Sequence, residues 1–353
     1  MTPPLTPIGD IANPTLTENT PNNLMWTSQS DWDAAVSRNR VVTRGIGDRI
    51  ADEIWIGYDP NYLSNLEAYW TYDEDSGSTF ADATGNGNDA TVNGATIGST
   101  GLLTSTGASV DGSNDYISVP HTTALQPDKD FTLNIWANVQ SIPGSGDYGT
   151  IMAKGVTGSG EVLFYTDDTA GFRIYIDGGN VETQFSDTNI STGTWAMWTL
   201  VRSDDTWRIY KNGSLQVSDT GTTTIDTTKD WTFGMADEGN QRPLDAILDE
   251  PLYANVAYSG SQITDLYNTM TSGGSLTTAT KSFATFQTPD LVNLDYSLNS
   301  ESVSLDIIGS PDTASEETVT QVLDGSTSYA LSWNNGHQDF RIAADLSTSS
   351  IFN

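Results

Sequence analysis

Residues 109–120 read SVDGSNDYISVP, and they combine a cluster of turn-forming residues with a short alternating run. Residues 111–115 form turns readily, because Gly tolerates a positive φ and because Asn and Asp bond the backbone two residues on. From Tyr116 to Val119 polar and apolar residues alternate, and Pro120 ends the run, which is typical of a half-buried strand. The stretch therefore predicts a turn that leads into a strand, in preference to a metal-binding loop or a catalytic loop.

The composition is strongly acidic. The 353 residues include 46 acids and only 14 bases, which gives a net charge of -32. Such a chain repels itself in dilute buffer, whereas molar salt shortens the Debye length to about 3 Å and removes the cost. The balance predicts the protein of a halophile. It argues against nucleic acid as a partner, since phosphate binding needs a basic surface, and against an acidic membrane surface.

Several classes of site are excluded by what the sequence lacks. There is no cysteine, so the chain can form neither a disulfide nor a thiolate metal site. No apolar run is long enough to span a bilayer, and residues 1–23 have neither the basic nor the apolar part of a signal peptide. We therefore expect no membrane insertion and no export by a signal peptide.

The N-terminal region falls into two predicted segments. Residues 1–23 contain five of the 13 prolines and form an extended arm, which we expect a partner subunit to hold. Residues 24–60 are predicted to anchor the protein through a short helix and strands at 39–43 and 50–58.

Residues 61–272 read as an all-β domain with short strands at close spacing. Residues 211–213, Lys-Asn-Gly, predict a hairpin turn, and residues 261–268 predict one helix capped by Ser259. Residues 276–353 alternate again and predict a second, smaller β-sandwich, which strands from residues 24–60 could complete.

Five pieces of sequence, in order, resemble the laminin G-like, concanavalin A-like jelly-roll domains over about residues 66–270. They are AYWTYDEDSGSTFADATGNGNDATVNG, SVDGSNDYISVP, FTLNIWANV, GTWAMWTLVRSDDTWRIYKNGSL and AILDEPLYANVAYSGSQITDLYN. The resemblance implies two facing antiparallel sheets, so the expected fold class is all-β: a jelly-roll sandwich with an N-terminal arm and a smaller C-terminal sandwich.

The resemblance also implies a structural calcium ion, which many of these domains bind. Calcium prefers six to eight oxygen ligands on a tightly bent loop. The segment ADATGNGNDA supplies Asp82, Asn86 and Asp89, and Asp249 of ILDEP lies on the strand expected to close against it. These four residues are the predicted calcium ligands.

Endoglucanases share the fold, and in them carboxylates at i, i+2 and i+4 of one strand point together into the groove. Here Asp73, Glu74 and Asp75 are contiguous, so they alternate between faces, and Asp245 and Asp249 have Ile247 between them. The two histidines, His121 and His337, read as solvent-facing loop residues. The sequence therefore predicts a protein that is not an enzyme.

Aromatic side chains could bind a sugar. Most tryptophans, including Trp136, Trp195, Trp198, Trp207 and Trp231, fall within predicted strands, and we expect most to pack in the core. Nearer the loops lie Tyr148, Phe185 and Trp333, the predicted ligand-binding residues. Asn189 and Asn212 begin formal glycosylation motifs that we interpret as coincidental.

Three features must be reconciled: adhesion-type β domains, the lack of an export signal and a proline-rich arm. A virion protein of a virus infecting halophilic archaea satisfies all three, as a tail fibre, spike or capsid turret. We expect such a protein to be a homo-oligomer on the virion surface, to contact other virion proteins through residues 1–60 and to bind a host glycan or glycoprotein. The alternatives are a secreted or cell-surface glycan-binding protein of a halophile and, less favoured, a glycoside hydrolase or its accessory module.

Overall fold

The structure is a computed structural model. It describes residues 10–17, 24–25, 37–39, 41–42, 55–56, 63, 65–102, 106–127, 130–155, 162–167, 172–176, 181–184, 190–221, 225, 228–236, 242–271, 274–277, 281–287, 291–297, 302–322, 328–335 and 337–347. The chain divides into two compact units, one of residues 60–267 with 352–353 and the other of residues 1–59 with 268–351.

The secondary structure is almost entirely β. The first strands are β1 Asp10–Thr17, β2 Leu24–Met25, β3 Ser37–Asn39, β4 Val41–Val42 and β5 Trp55–Ile56. Next come β6 Leu66–Tyr69, β7 Thr79–Phe80, β8 Ala90–Asn93, β9 Thr96–Thr100, β10 Thr106–Asp111, β11 Tyr116–Val119, the 3-10 turn Thr123–Leu125, β12 Phe131–Ser141, β13 Tyr148–Lys154, β14 Val162–Asp167, β15 Phe172–Ile176, β16 Val181–Gln184, β17 Trp195–Ser203, β18 Thr206–Lys211, β19 Ser214–Thr220, β20 Trp231–Phe233, β21 Asp245–Ala254 and helix α1 Gly260–Thr271. The last strands are β22 Gly274–Thr277, β23 Lys281–Gln287, β24 Leu291–Ser297, β25 Ser302–Gly309, β26 Glu317–Val322, β27 Ser328–Ala330 and β28 His337–Ser347.

Two antiparallel sheets form a sandwich in the first unit. In the described residues one sheet has the order β19-β18-β17-β12-β21-β10-β9, with β6 also on β21, and we call it the front sheet. The other, the back sheet, has the order β16-β15-β14-β13-β20-β11-β8-β7. This arrangement confirms the predicted all-β jelly-roll fold.

The stretch SVDGSNDYISVP connects the two sheets. It begins in β10 of the front sheet, turns at Gly112, where φ is +73°, and ends in β11 of the back sheet. Asp111 Oδ1 accepts the Ser113 backbone N–H at 2.8 Å, and Ile117 and Val119 are buried while their neighbours are partly exposed. The predicted turn and half-buried strand are therefore confirmed.

Aromatic residues dominate the core between the sheets. Trp70, Trp207 and Trp231 are each 1% exposed and lie in one hydrophobic cluster with Leu133 and Ile135. Side chains alternate along β12, so every second one points away from this core, toward the face of the front sheet that the helix covers.

Helix α1 covers that other face of the front sheet. Trp136 stacks on Tyr267 of the helix with ring centroids 5.8 Å apart. The Ser259 hydroxyl and backbone N–H both contact Gln262 Oε1 at 2.9 Å, so the predicted cap is confirmed as a capping box.

The hairpin turn at residues 211–213 is also confirmed, since φ is +50° at Asn212 and +77° at Gly213, as a type I′ turn requires.

In its described residues the second unit contains three further sheets, with orders β2-β1-β24-β27, β26-β25-β28-β22-β3 and β4-β5, and β23 joins β28. Strand β1 lies inside the proline-rich arm that we expected a partner subunit to hold. It pairs instead with β24 of the same chain, and a register shift between Ala12 and Thr15 accommodates Pro14, which has no N–H to donate. This part of the arm is therefore held within the chain.

Candidate ligand-binding site

One end of the sandwich brings together the ends of six strands. Strand β12 runs toward this end, and β13 starts from it. In the register of the paired strands, Trp195 lies opposite Asn138, Lys211 lies opposite Trp198, and Tyr148 lies opposite Asp167. We call residues 139–148, 165–167, 190–198, 211–213 and 242–245 the Tyr148 end. The opposite end carries Lys154 with residues 82–89, 119–125 and 228–231, and we call it the Lys154 end.

An exposed aromatic platform lies at the Tyr148 end. Tyr148 is 37% exposed and meets Tyr165 edge to face, with centroids 5.3 Å apart. The Arg242 guanidinium lies 5.2 Å from the Tyr148 ring centre and 5.1 Å from that of Tyr165. The Arg242 carbonyl also accepts the Thr150 N–H at 2.9 Å. Cation–π contact and the backbone bond together fix the orientation of the Tyr148 ring.

A charged pair flanks this platform. Asp167 is buried, and its Oδ2 accepts the Arg173 Nε–H at 2.8 Å and lies 2.7 Å from Nη2. Asp167 and Tyr165 are two residues apart on β14, so both face away from the core. The pair therefore stiffens the surface that carries Tyr148.

A cavity of about 120 Å³ opens at the same end, at the edge of the front sheet where β17 begins and β18 ends. The loop that leads into β17 is held by the Gly193 N–H, which donates to the Val139 carbonyl at 2.8 Å. The Lys211 ammonium lies 5.4 Å from the Trp198 ring centre. The cavity is lined by Ala137, Val139, Ile190, Ser191, Thr194, Trp195, Ala196, Trp198, Lys211 and Asn212.

The cavity lining has the residue types that bind sugars. Trp195 is partly exposed, unlike the fully buried core tryptophans. Asn212 uses its backbone N–H and its Oδ1 to bond Met197, each at 2.9 Å. These bonds fix the amide group in the cavity wall, and no described residue bonds its Nδ2. An indole, an amide and the hydroxyls of Ser191 and Thr194 are the residue types that suit a polar ring with one apolar face.

Sequence reasoning missed this cavity because Trp195 falls within a predicted strand, where we expect most tryptophans to pack in the core. Trp195 is the first residue of β17 and follows the turn residues Ser-Thr-Gly-Thr. This position, at the end of a strand and directly after turn residues, is the feature of the sequence that could have indicated the site. The predicted ligand residue Tyr148 does lie at this end of the sandwich.

The other two predicted ligand residues do not join it. Phe185 lies outside the described residues. Trp333 belongs to the second unit, where it packs edge-on against His337 and Phe340 with centroids 5.1 and 5.5 Å away.

Asp82, a predicted calcium ligand, organises the loop at the Lys154 end. Its Oδ1 accepts the Tyr69 N–H at 3.2 Å, and the Thr84 N–H and hydroxyl at 3.0 and 2.7 Å. Its Oδ2 accepts the Asn88 N–H at 3.1 Å. Both carboxylate oxygens therefore already have hydrogen-bond donors, which occupy the positions that a cation would need.

The remaining predicted ligands lie in two places. Asp89 accepts the Asp82 N–H at 2.9 Å, and the Asn86 amide donates to the Glu67 carbonyl at 3.1 Å. Asp249 is fully buried and accepts the Leu102 N–H at 2.7 Å. Within the described ranges, no three His, Asp or Glu side chains are placed to share a metal ion. A calcium ion at this loop would depend on Asp89, Asn86 and backbone carbonyls, and calcium binding stays a prediction.

Strand β21 bends where Asp249 and Glu250 lie. Glu250 has a φ of +51°, and the pairing with β12 shifts between Asn134 and Trp136. Glu250 is 2% exposed and accepts the Tyr69 hydroxyl. Asp245, nearer the Tyr148 end, accepts the Ser141 hydroxyl at 2.7 Å. Asp245 and Asp249, the two aspartates weighed against the endoglucanase pattern, thus both have hydrogen-bond partners within the fold.

The two histidines have different environments. His121 Nδ1 lies 3.2 Å from the ammonium of Lys154, which is fully buried and also donates to the Lys229 carbonyl at 2.7 Å. Burial lowers the pKa of Lys154 to about 8. His337 is only 1% exposed and lies in β28, so the expectation of a solvent-facing loop residue is wrong for it.

Comparison with known proteins agrees with the geometry. Residues 111–264 match the family model described as the concanavalin A-like lectin/glucanases superfamily. The match covers β11 to β21 and part of α1, and so includes both the Tyr148 platform and the cavity. No curated protein sequence gives a significant match.

Several solved structures align with this chain at low identity. Trypanosoma rangeli sialidase in complex with sialic acid aligns with a TM-score of 0.50 at 15% identity, over 68% of this chain and 36% of that one. This chain thus spans about a third of the sialidase's length. Domain 4 of a GH43 extracellular arabinanase from Geobacillus stearothermophilus, in complex with arabinotriose, aligns with a TM-score of 0.46 at 17% identity, over 57% of this chain and 98% of that one. The botulinum neurotoxin serotype D binding domain aligns with a TM-score of 0.48 at 13% identity, over 78% of this chain and 84% of that one.

No helix of the described residues is long and apolar enough to span a bilayer.

Proposed function

We propose that the sandwich binds a carbohydrate at the Tyr148 end without catalysing a reaction on it. The observation that carries this proposal is the cavity lined by Trp195, Asn212, Ser191 and Thr194. The exposed ring of Tyr148 lies at the same end of the sandwich. Aromatic faces stack on the apolar side of a sugar ring, and amide and hydroxyl groups bond its edge. At about 120 Å³ the cavity suits one terminal sugar or a substituent rather than a whole oligosaccharide.

The charge of the chain favours a neutral glycan. A net charge of -32 repels polyanions at low salt, so affinity for a neutral sugar should change little as salt is varied. The same argument supports the lectin-like interpretation over one that requires an anionic polymer.

The proposal can be tested by screening a glycan array and then titrating the best neutral glycan by calorimetry. Trp195→Ala should weaken binding about tenfold, which corresponds to about 1.4 kcal/mol. Trp333→Ala, a change of the same size in the other unit, is the matched control and should leave the affinity unchanged. The assignment is wrong if Trp333→Ala causes the loss and Trp195→Ala does not.

On the biological role, we propose a virion surface protein that presents this sandwich to a host glycan or glycoprotein. Support comes from the acidic composition and from an N-terminal region, residues 1–60, that is unlike the sandwich in sequence. The alternative is a secreted or cell-surface glycan-binding protein of a halophile. Labelling purified particles with antibody against the sandwich distinguishes the two.

A further inference from the structure

A hydrogen-bonded chain of hydroxyl, imidazole and carboxylate lies in the second unit. Ser310 Oγ is 2.9 Å from His337 Nδ1, and His337 Nε2 is 3.1 Å from Glu317 Oε2. His337 is 1% exposed, so water competes little for its two ring nitrogens. Imidazole held between a hydroxyl and a carboxylate is the arrangement that activates a serine as a nucleophile.

The backbone at Ser310 is strained. Its φ is +49°, which non-glycine residues rarely adopt, and the next residue is Pro311, which favours an extended conformation at the position before it. The Ser310 N–H donates to the Asp339 carbonyl at 2.8 Å, which helps to hold this conformation. Such strain is concentrated at functional sites.

The imidazole also lies directly against Gly309, the last residue of β25. A Cβ added at Gly309 would be 2.5 Å from His337 Cγ and 3.0 Å from Nδ1. Only glycine leaves room for this approach. The His337 imidazole is therefore next to the peptide bond between Gly309 and Ser310.

Glu317 is held in place by the residues that precede His337. The Asn334 N–H donates to its Oε1 at 2.6 Å, and the Asn335 N–H donates to Oε2 at 3.2 Å. The Asn334 N–H lowers the pKa of Glu317 most, desolvation opposes this to a smaller extent, and the hydrogen bonds from His337 and Asn335 lower the pKa further. An ionised Glu317 can orient the imidazole and stabilise its protonated form.

We propose that the peptide bond between Gly309 and Ser310 is a self-cleavage site. His337 takes the Ser310 hydroxyl proton as Oγ attacks the Gly309 carbonyl carbon, closing a five-membered ring. The bond from that carbon to the Ser310 nitrogen then breaks, the nitrogen takes the proton from His337, and Gly309 becomes an ester on Ser310 Oγ. Water hydrolyses the ester, which leaves a carboxylate on Gly309 and a free amine on Ser310. The reaction removes the strained conformation, which favours the forward direction.

The two products stay together in the folded protein. Strand β25, which ends at Gly309, pairs with β26 and with β28, and both of those follow the cleaved bond. Cleavage is therefore invisible to a native sizing column and appears only under denaturing conditions.

The test is mass spectrometry of the denatured full-length protein after incubation at about pH 7–8, near the working range of a histidine base. We expect fragments 1–309 and 310–353, whose masses add up to the intact chain plus one water. Hydroxylamine, which attacks esters, should accelerate cleavage and leave a hydroxamate on Gly309. Ser310→Ala should abolish cleavage, whereas Ser315→Ala, in the same loop, should leave it unchanged. Ser310→Cys should form a thioester that hydroxylamine also cleaves.

The roles of His337 and Glu317 can be separated by rate. His337→Gln should slow cleavage by about a hundredfold, the usual contribution of a general base. Glu317→Gln should slow it, and Glu317→Asp should restore part of the rate, because a carboxylate again orients the imidazole. A folded wild-type protein that stays intact with hydroxylamine overturns the proposal, as does Ser310→Ala protein that is still cut at this bond.

Discussion

The two ends of the sandwich use polar and aromatic residues differently. At the Lys154 end the polar groups bond one another: Asp82 accepts bonds from Tyr69, Thr84 and Asn88, and Lys154 is buried between His121 and the Lys229 carbonyl. At the Tyr148 end an aromatic ring is 37% exposed, and indole, amide and hydroxyl groups line an open cavity. The first end stabilises the fold, and the second leaves groups available to a ligand.

This difference shows why residue type alone did not locate the site. Acidic residues in a glycine-rich loop suggest a cation site, yet the Asp82 carboxylate is occupied by donors from its own loop and from β6. Tryptophan in a strand suggests the core, yet Trp195 lies where the strand begins and the sheets open. Whether a group is available depends on its neighbours in space.

The largest expected effect is on stability at the Lys154 end. Asp82→Ala removes the acceptor for donors that are mostly buried, so the free energy of unfolding should fall by about 3 kcal/mol, the range for hydrogen bonds to a charged group. Asp89→Ala removes an exposed acceptor with one bond to the loop and should cost about 1 kcal/mol. Denaturant unfolding at fixed high salt measures both.

Glycan affinity is the control in these variants and should be unchanged in both, because the ligand groups lie at the other end. Repeating the unfolding with a calcium chelator separates the predicted calcium ion from the hydrogen bonds. If calcium binds this loop, the chelator should destabilise the wild-type protein and have less effect on Asp89→Ala. Equal stability of Asp82→Ala and wild-type protein would contradict the structural role of Asp82.

A smaller effect is expected from pH. Burial lowers the pKa of His121 below its usual value of 6.5, and the neighbouring Lys154 ammonium lowers it further, against a smaller opposing effect of Asp230. The unfolded chain therefore takes up the proton first. The stability that neutral His121 contributes is therefore fully present above about pH 6.5, and it is lost as the pH falls through the lower pKa that His121 has in the folded protein.

His121→Gln keeps an acceptor for Lys154 and removes the titration. The difference in unfolding free energy between wild type and His121→Gln should therefore shrink or change sign as the pH falls from about 7 to 5. A difference that stays constant over this range would show that the contact between His121 and Lys154 does not form.

Much of the fold follows from the sequence because its determinants are local. The alternation in residues 116–119, the Asn-Gly turn at 212–213 and the Ser259 cap each depend on neighbours a few residues away, and each is present in the structure. The cavity wall and the environment of His337 depend on residues far apart in the chain. Ser310 and Glu317, for example, meet His337 only because β25, β26 and β28 pair. Such contacts leave no pattern in one sequence.

The most direct test of the central claim is hydrogen exchange with and without the neutral glycan selected by the array. Bound ligand should protect backbone amides at the Tyr148 end, in residues 190–198 and 211–213, and leave the loop of residues 82–89 unchanged. Asp82→Ala protein should show the same protected residues, since its defect lies in stability. Protection that falls on residues 82–89 instead would place the ligand at the Lys154 end and contradict the account.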